Sequence, residues 1–277
     1  MTGAASLALA LPLLAPVPEA VGEIDAITAR LAADYRITVA WQPWQVVPIA
    51  DVTIDWADRD DLDRLLHYAR WFDEEWRRYP IELVDASGLL QVWLVEGVDS
   101  GDGERVAYPG YDVEVLVYQF PEEGEIEEHE AYYRQVVHHE LFHMLEEEWN
   151  GDGYHHDDEW AAVNPFGFAY DPGVPDELQG LPASHPAQGI VSYYAATSMT
   201  EDRAEVWGLM LDRSGWRNLD VWRRDDTVLA AKVALHEAFV RRHVPTCDAA
   251  WWRALRESLD APSVEGGAAP ADLLEDG

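Results

Sequence analysis

The sequence contains little positive charge. It has 19 lysines and arginines against 53 aspartates and glutamates in 277 residues, and Lys232 is its single lysine. The formal net charge of -34 repels nucleic-acid phosphates and anionic lipid head groups, so we expect neither kind of partner. Charge of this kind mainly favours solubility, and it also favours neutral or basic substrates.

Cysteine is almost absent, and Cys247 is its single representative. One cysteine can form neither an intramolecular disulfide nor a cysteine-based metal cluster. Any metal that the chain binds must therefore be held by histidine and carboxylate side chains.

Long hydrophobic runs are also missing. The apolar stretch over residues 4–14 is too short to cross a bilayer, so no membrane span is expected. Together with residues 15–18 it resembles the core and cleavage region of an export signal, although no basic residue precedes it. We predict residues 1–22 to be an export signal of a secreted or extracytoplasmic protein. The alternative is a buried or frayed N-terminal helix, in which case the protein would be cytoplasmic.

The rest of the chain has the pattern of a globular protein with mixed secondary structure. Alternating β-branched and aromatic residues predict strands over residues 36–41, 52–56, 81–84, 89–95 and 111–120. Apolar residues at three- and four-residue spacing predict helices over residues 58–79, 126–149, 199–213, 226–243 and 248–259. We expect one unit over 23–260, with the sheet in 35–148, a mostly helical half in 149–260, and a disordered tail over 261–277.

One predicted strand bears on ligand binding. Near residues 113–120, valines alternate with other residues, which indicates a strand with one partly exposed face. Such a strand at the edge of a sheet could bind an extended peptide by β-augmentation.

The most specific motif is His139-Glu140-Leu141-Phe142-His143, on the helix predicted over 126–149. Histidines four residues apart lie on one helix face and can share a metal ion. In H-E-x-x-H sites the glutamate takes a proton from the metal-bound water. The motif therefore predicts a zinc ion with His139 and His143 as ligands and Glu140 as general base. The adjacent His138 is expected to be exposed to solvent.

A catalytic zinc ion needs a third protein ligand. The extended motif with a third histidine is excluded, because Glu146 and Trp149 stand where its glycine and histidine would be. Glu201, on a later predicted helix, is the first candidate, and Glu205 one turn further could accept a hydrogen bond from a ligand histidine. Glu159 is the alternative third ligand, since its spacing is closer to that of thermolysin-like enzymes.

Three further motifs follow in order. They are Trp160-x-x-Val163-Asn164-Pro165-x-x-Phe168-x-Tyr170, Ser192-x-Tyr194-Ala195 and Glu201-Asp202-x-Ala204-Glu205. With H-E-x-x-H they resemble the zinc-binding metallopeptidase family of bacteria, whose active-site core is similar to that of anthrax lethal factor and the secreted Pro-Pro endopeptidases. The resemblance covers about residues 110–240, including Lys232.

This resemblance implies a role for each matched residue. It implies Glu201 as the third zinc ligand and Glu205 as the acceptor behind a ligand histidine. It implies Tyr194 as a phenol that stabilises the oxyanion of the tetrahedral intermediate, with Tyr193 as the competing candidate. The motif that begins at Trp160 is expected to form a structural loop that supports the cleft.

The expected fold is therefore an α+β, zincin-like metallopeptidase with a twisted sheet, an edge strand, the H-E-x-x-H helix and a helical C-terminal half. The expected function is hydrolysis of peptide or protein substrates with one catalytic zinc ion. Two rivals remain. The chain could be a non-catalytic zinc-binding module, or a zinc hydrolase that acts on a cell-wall amide or a glycan, because substrate choice depends on loops.

Overall fold

The computed structural model describes residues 19–101, 103–126, 129–151 and 155–261. Helices and strands are mixed along these ranges. The helices are α1 (Glu19–Tyr35), α2 (Leu62–Trp76), α3 (Ile81–Asp85), α4 (Glu130–Asn150), α5 (Asp158–Val163), α6 (Asp176–Gln179), α7 (Met199–Leu211), α8 (Arg213–Trp222), α9 (Thr227–His243) and α10 (Ala249–Asp260). The strands are β1 (Thr38–Ala40), β2 (Thr53–Asp55), β3 (Gln91–Val95), β4 (Gly97–Asp99), β5 (Glu104–Arg105), β6 (Ala107–Gly110) and β7 (Val115–Gln119).

A four-stranded sheet in the order β1-β3-β7-β6 organises the first half of the chain. Strands β1, β3 and β7 are parallel, whereas β6 is antiparallel to β7. One face of the sheet packs against helices in the main hydrophobic core. The other face packs against the small antiparallel sheet β2-β4-β5. Both faces of the central strands are therefore buried, as is usual for parallel strands.

The edge strand is not where the sequence predicts it. Strand β7 lies within the predicted strand, but it is flanked by β3 and β6. Val115 and Val117 face the second sheet, while Leu116 and Tyr118 face the main core, so the alternation reflects two buried faces. The edge strand on this side is β6, a short segment that the sequence pattern does not predict.

Other predicted elements have mixed outcomes. The helices predicted over 199–213, 226–243 and 248–259 are confirmed as α7, α9 and α10, with ends that differ by one or two residues. The strand predicted over 81–84 is wrong, because these residues form α3. Four residues are too few for the spacing of their apolar side chains to distinguish a strand from a helical turn. Helix α8 was not predicted.

Helix α4 is buried on the face that carries His138 as well as on the face that carries His139 and His143. His138, predicted to be exposed, is fully buried there, so that prediction is wrong. Its Nε2 lies 2.8 Å from Glu75 on α2, and its Nδ1 contacts the Tyr79 hydroxyl. Burial, together with Arg78 and Arg134, lowers the pKa of His138 well below its usual value. The imidazole thus ties α4 to α2 as a neutral group.

The two predicted terminal segments lie mostly outside the described residues. Residues 19–22 of the predicted export signal form the first turn of α1, and residues 1–18 lie outside the described residues. The predicted tail lies outside them from residue 262 onward. No helix in the described ranges combines the length and the apolarity needed to cross a membrane.

A buried histidine also lies beneath α4. His236 on α9 is 1 % exposed, and its ring contacts those of Phe142, Trp160 and Trp207. Burial and the nearby Arg203 lower the pKa of His236 well below its usual value. The folded protein therefore holds this imidazole in its neutral form.

The burial of His236 predicts a loss of stability at acidic pH. Below about pH 6.5 the unfolded chain binds a proton at this site that the folded protein does not, so stability falls as the pH falls. We expect His236→Phe to remove about 1.4 kcal/mol of the stability that the parent protein loses between pH 8 and pH 5.5. Urea unfolding between pH 8 and pH 5.5 measures it, with the exposed His156→Gln as control. An unchanged slope in His236→Phe would contradict the assignment.

Candidate metal centre

Two helices and the loop between them supply the predicted site residues. Helix α4 carries His139, Glu140 and His143, and α7 carries Glu201 in its first turn. The start of α7 is fixed by Ser198, whose side chain accepts a hydrogen bond of 3.2 Å from the backbone N–H of Glu201. This cap orients the first turn of α7 toward α4.

The two imidazoles and the Glu201 carboxylate meet at one point. The Nε2 atoms of His139 and His143 are 3.1 Å apart, and Glu201 Oε2 lies 3.1 Å from the first and 3.4 Å from the second. Zinc–nitrogen bonds of 2.0–2.1 Å at tetrahedral angles separate neighbouring ligand atoms by about 3.3 Å. The three atoms therefore have the spacing of three corners of a tetrahedral zinc site.

The electrostatics of this cluster also favour a bound cation. Burial opposes charge on His139, yet Glu201 and Glu205 raise its pKa well above the usual value. Burial likewise opposes charge on His143, while Glu146 and Glu201 raise its pKa to about 9. The pKa of Glu201 is lowered, because both imidazoles outweigh its burial. Carboxylates thus stabilise positive charge at the point where the donors meet.

Two nitrogen donors and one carboxylate oxygen fit zinc and leave a fourth position open. Sulfur ligands are excluded, because the single cysteine, Cys247, is buried elsewhere in the core. Within the described residues, His139, His143 and Glu201 are the group of side chains that could hold a metal ion.

Glu205 lies directly behind the first histidine. Its Oε1 accepts hydrogen bonds of 3.1 Å from His139 Nδ1 and 3.1 Å from Gln135 Nε2. Its Oε2 accepts a bond of 2.6 Å from the Ser192 hydroxyl. Such a carboxylate fixes the imidazole tautomer that leaves Nε2 free to bind a metal.

The second histidine has an acidic neighbour that sequence reasoning missed. Glu146, fully buried and one turn after His143, has its Oε2 at 3.6 Å from His143 Nδ1. Its Oε1 forms an ion pair of 2.9 Å with the buried Arg203, which also contacts Asp157. The i,i+3 spacing of His143 and Glu146 is the sequence signal that indicates this contact.

Glu140 and Tyr194 border the same cavity as the donor cluster. The Tyr194 ring stacks on His139, with ring centroids 5.8 Å apart. Burial, with the nearby Glu201 and Glu140, raises the pKa of Tyr194, so its hydroxyl keeps its proton. Among the two tyrosine candidates it is Tyr194, and not Tyr193, that lines this cavity.

A buried ion pair between Asp202 and Lys232 connects α7 to α9. Asp202 follows Glu201, and its Oδ2 accepts hydrogen bonds from Lys232 (2.5 Å), Tyr170 (2.7 Å) and Trp160 (2.8 Å). Lys232 also donates to the carbonyl oxygen of Gly189, at 2.8 Å. The loop motif that begins at Trp160 therefore contacts α7 through Asp202, a role that sequence reasoning did not give to this aspartate.

The alternative third ligand lies away from the cluster. The Glu159 side chain is 67 % exposed and pairs with Arg242 at the surface. It is not among the side chains that meet at the donor cluster. The acidic loop that precedes it is described only from residue 155 onward.

Comparisons with known proteins show the fold. No family model and no curated protein matches this chain. A solved structure from Bacteroides caccae, a "putative zinc-binding metallo-peptidase", superposes with a TM-score of 0.54. The two chains are 16 % identical, and the match covers 89 % of this chain and 98 % of the other. At this level of identity the likeness shows a shared fold over most of both chains.

The contact between Glu146 and His143 predicts an effect on metal affinity. We expect Glu146→Gln to weaken zinc binding about 10–100-fold, because the neutral amide no longer supports His143 as a ligand. Competition with a chromophoric chelator at constant pH measures the affinity. The exposed Glu148→Gln on the same helix is the matched control. Equal affinities of Glu146→Gln and the parent protein would contradict this role.

Proposed function

We propose that this chain is a zinc-dependent peptidase. The observation that carries the proposal is the convergence of His139, His143 and Glu201 beside Glu140 in one cavity. The proposal has independent support from the fold, which is shared with a protein described as a zinc-binding metallo-peptidase. Zinc bound by these donors would polarise the scissile carbonyl and lower the pKa of a water molecule.

Glu140 is proposed as the general base. It lies on α4 between the two histidines, and burial raises the pKa of its carboxyl group, opposed by the imidazoles. A carboxylate with a raised pKa is a better proton acceptor near neutral pH and a better proton donor afterwards. Glu140 would take a proton from the attacking water and deliver it to the leaving amine.

Tyr194 is proposed to stabilise the oxyanion that develops on the scissile carbonyl. Its phenol keeps its proton, because burial and neighbouring carboxylates raise its pKa. A protonated phenol beside the donor cluster can donate a hydrogen bond to an oxygen whose negative charge grows in the transition state.

Peptide substrates are proposed to lie along β6. The backbone N–H of Gln119 donates a hydrogen bond of 2.9 Å to the carbonyl oxygen of Val106. Because hydrogen-bonded positions alternate along an antiparallel strand, Tyr108, opposite Val117, also directs its backbone groups toward β7. The N–H and C=O of Ala107 and the C=O of Pro109 then point to the open edge. Pro109 has no backbone N–H. No hydrogen bond to β7 is lost, because an N–H at this position would point to the open edge. An extended peptide could therefore gain three backbone hydrogen bonds there.

The role of Glu140 gives the main prediction of this proposal. Glu140→Gln should retain one zinc ion, because Glu140 is not among the donors, and should lower kcat for peptide hydrolysis about 10²–10⁴-fold. Zinc content and cleavage of a peptide library are measured together, with Glu147→Gln on the same helix as control.

Each outcome of this experiment has a distinct meaning. Undiminished cleavage by Glu140→Gln would contradict the mechanism. A parent protein that binds zinc but cleaves no peptide would favour the non-catalytic module. Chelator-sensitive release of amines or sugars from cell-wall fragments, without peptide cleavage, would favour the other hydrolase.

A further inference from the structure

Carboxylates outnumber arginine and lysine side chains in the lining of the cavity. The cavity has a volume of 830 Å³ and extends from the donor cluster to β5, β6 and the start of α8. Its lining includes the carboxylates of Glu104, Glu140, Glu201 and Glu205. Among the described residues that line it, Arg105 is the single arginine or lysine.

Arg105 is held at the mouth of this cavity. It is the last residue of β5, two positions before the edge strand β6. Its Nε donates a hydrogen bond of 2.8 Å to the Ser100 hydroxyl, which leaves its two terminal amino groups to other partners. Within the described part of the chain its guanidinium forms no ion pair. A guanidinium of this kind matches the geometry of a carboxylate and can bind it through two parallel hydrogen bonds.

The position of Arg105 brings its charge beside the proposed path of the peptide. Arg105 lines the same cavity as Glu140 and the donor cluster. It also precedes by two residues the strand β6, along which peptides are proposed to lie. A residue flanking the scissile bond would therefore pass the guanidinium.

We infer that Arg105 selects peptide substrates that carry a carboxylate in a residue flanking the scissile bond. This inference rests on the proposed peptidase function and names its substrate class. The carboxylate can come from an aspartate or glutamate side chain or from the C-terminus of the peptide, since both present the same group to the guanidinium. The negative surface outside the cavity does not prevent this selection, because exposed charges beyond about 8–10 Å are screened at physiological salt.

The test compares peptides that differ only in this charge. One set replaces Asp by Asn, or Glu by Gln, at each position flanking the cleaved bond. A second set compares a free C-terminus with an amidated one, which separates the two sources of the carboxylate. We expect the zinc-loaded full chain to favour the acidic member of one set about tenfold in kcat/KM, because the neutral member lacks the charged hydrogen bonds to the guanidinium.

Substitutions of Arg105 test whether this residue causes the preference for acidic peptides. Arg105→Gln should reduce the preference for the acidic peptide about tenfold, and Arg105→Glu should favour the neutral member. Arg59→Gln, which removes an exposed arginine outside the cavity, should keep the parent preference. Equal kcat/KM for acidic and neutral peptides at every position, or an unchanged preference in Arg105→Gln, would overturn the inference.

The two proposals can fail separately. If the zinc-loaded parent cleaves none of the peptides, the proposed function fails, and calorimetric binding of the same peptide pairs then decides the role of Arg105. Tighter binding of acidic peptides by the parent than by Arg105→Gln supports it, and equal binding by both proteins contradicts it. Cleavage without a preference for carboxylates contradicts the role of Arg105 alone.

Discussion

The close packing of α4 against α7 is the constraint on which the candidate metal centre depends. The two imidazoles lie on one helix and the carboxylate on the other, so a change in their separation would change all donor distances together. Gly208 permits this approach: a Cβ atom at this position would lie 2.9 Å from Gln135 Cγ and 3.2 Å from the Gln135 carbonyl oxygen. A side chain at this position would force Gln135 to shift where it contacts Glu205.

Buried charge pairs fix the position of α7 at two further points. Arg203 pairs with Glu146 of α4, and Asp202 pairs with Lys232 of α9. Pairs of this kind contribute little net stability, because desolvation offsets their attraction, but an alternative packing that separates the partners is strongly disfavoured. Glu201 directly precedes Asp202 and Arg203 in the chain, so the pairs that fix α7 also fix the proposed third ligand. The single lysine of the sequence belongs to one of these pairs.

The sequence predicts the local part of this account better than the part that depends on tertiary structure. His139 and His143 share a helix face because of their spacing, which any α-helix imposes. The approach of Glu201 to them, across 58 residues of chain from His143, was expected from ligand chemistry and from resemblance, and the structure brings the three groups together. In contrast, the exposure expected for His138 and the edge position expected for β7 were wrong. Both depend on tertiary contacts, because α2 covers His138 and β6 pairs along the second edge of β7.

Some contacts of the site carry too little sequence signal to be found in advance. Glu146 has the spacing of a second support for His143, yet the same spacing occurs on many solvated helix faces. Arg105 belongs to a two-residue strand, and only the folded arrangement brings it to the cavity that Glu140 also lines. The predicted export segment and tail remain predictions from composition.

The most direct test of the central claim is X-ray absorption spectroscopy at the zinc edge of the zinc-loaded full chain. We expect one zinc ion per chain, with two imidazole nitrogens and one carboxylate oxygen at about 2.0–2.2 Å from the metal and a fourth position open to solvent. A first shell with only one imidazole, or a third imidazole in place of the carboxylate, would contradict it.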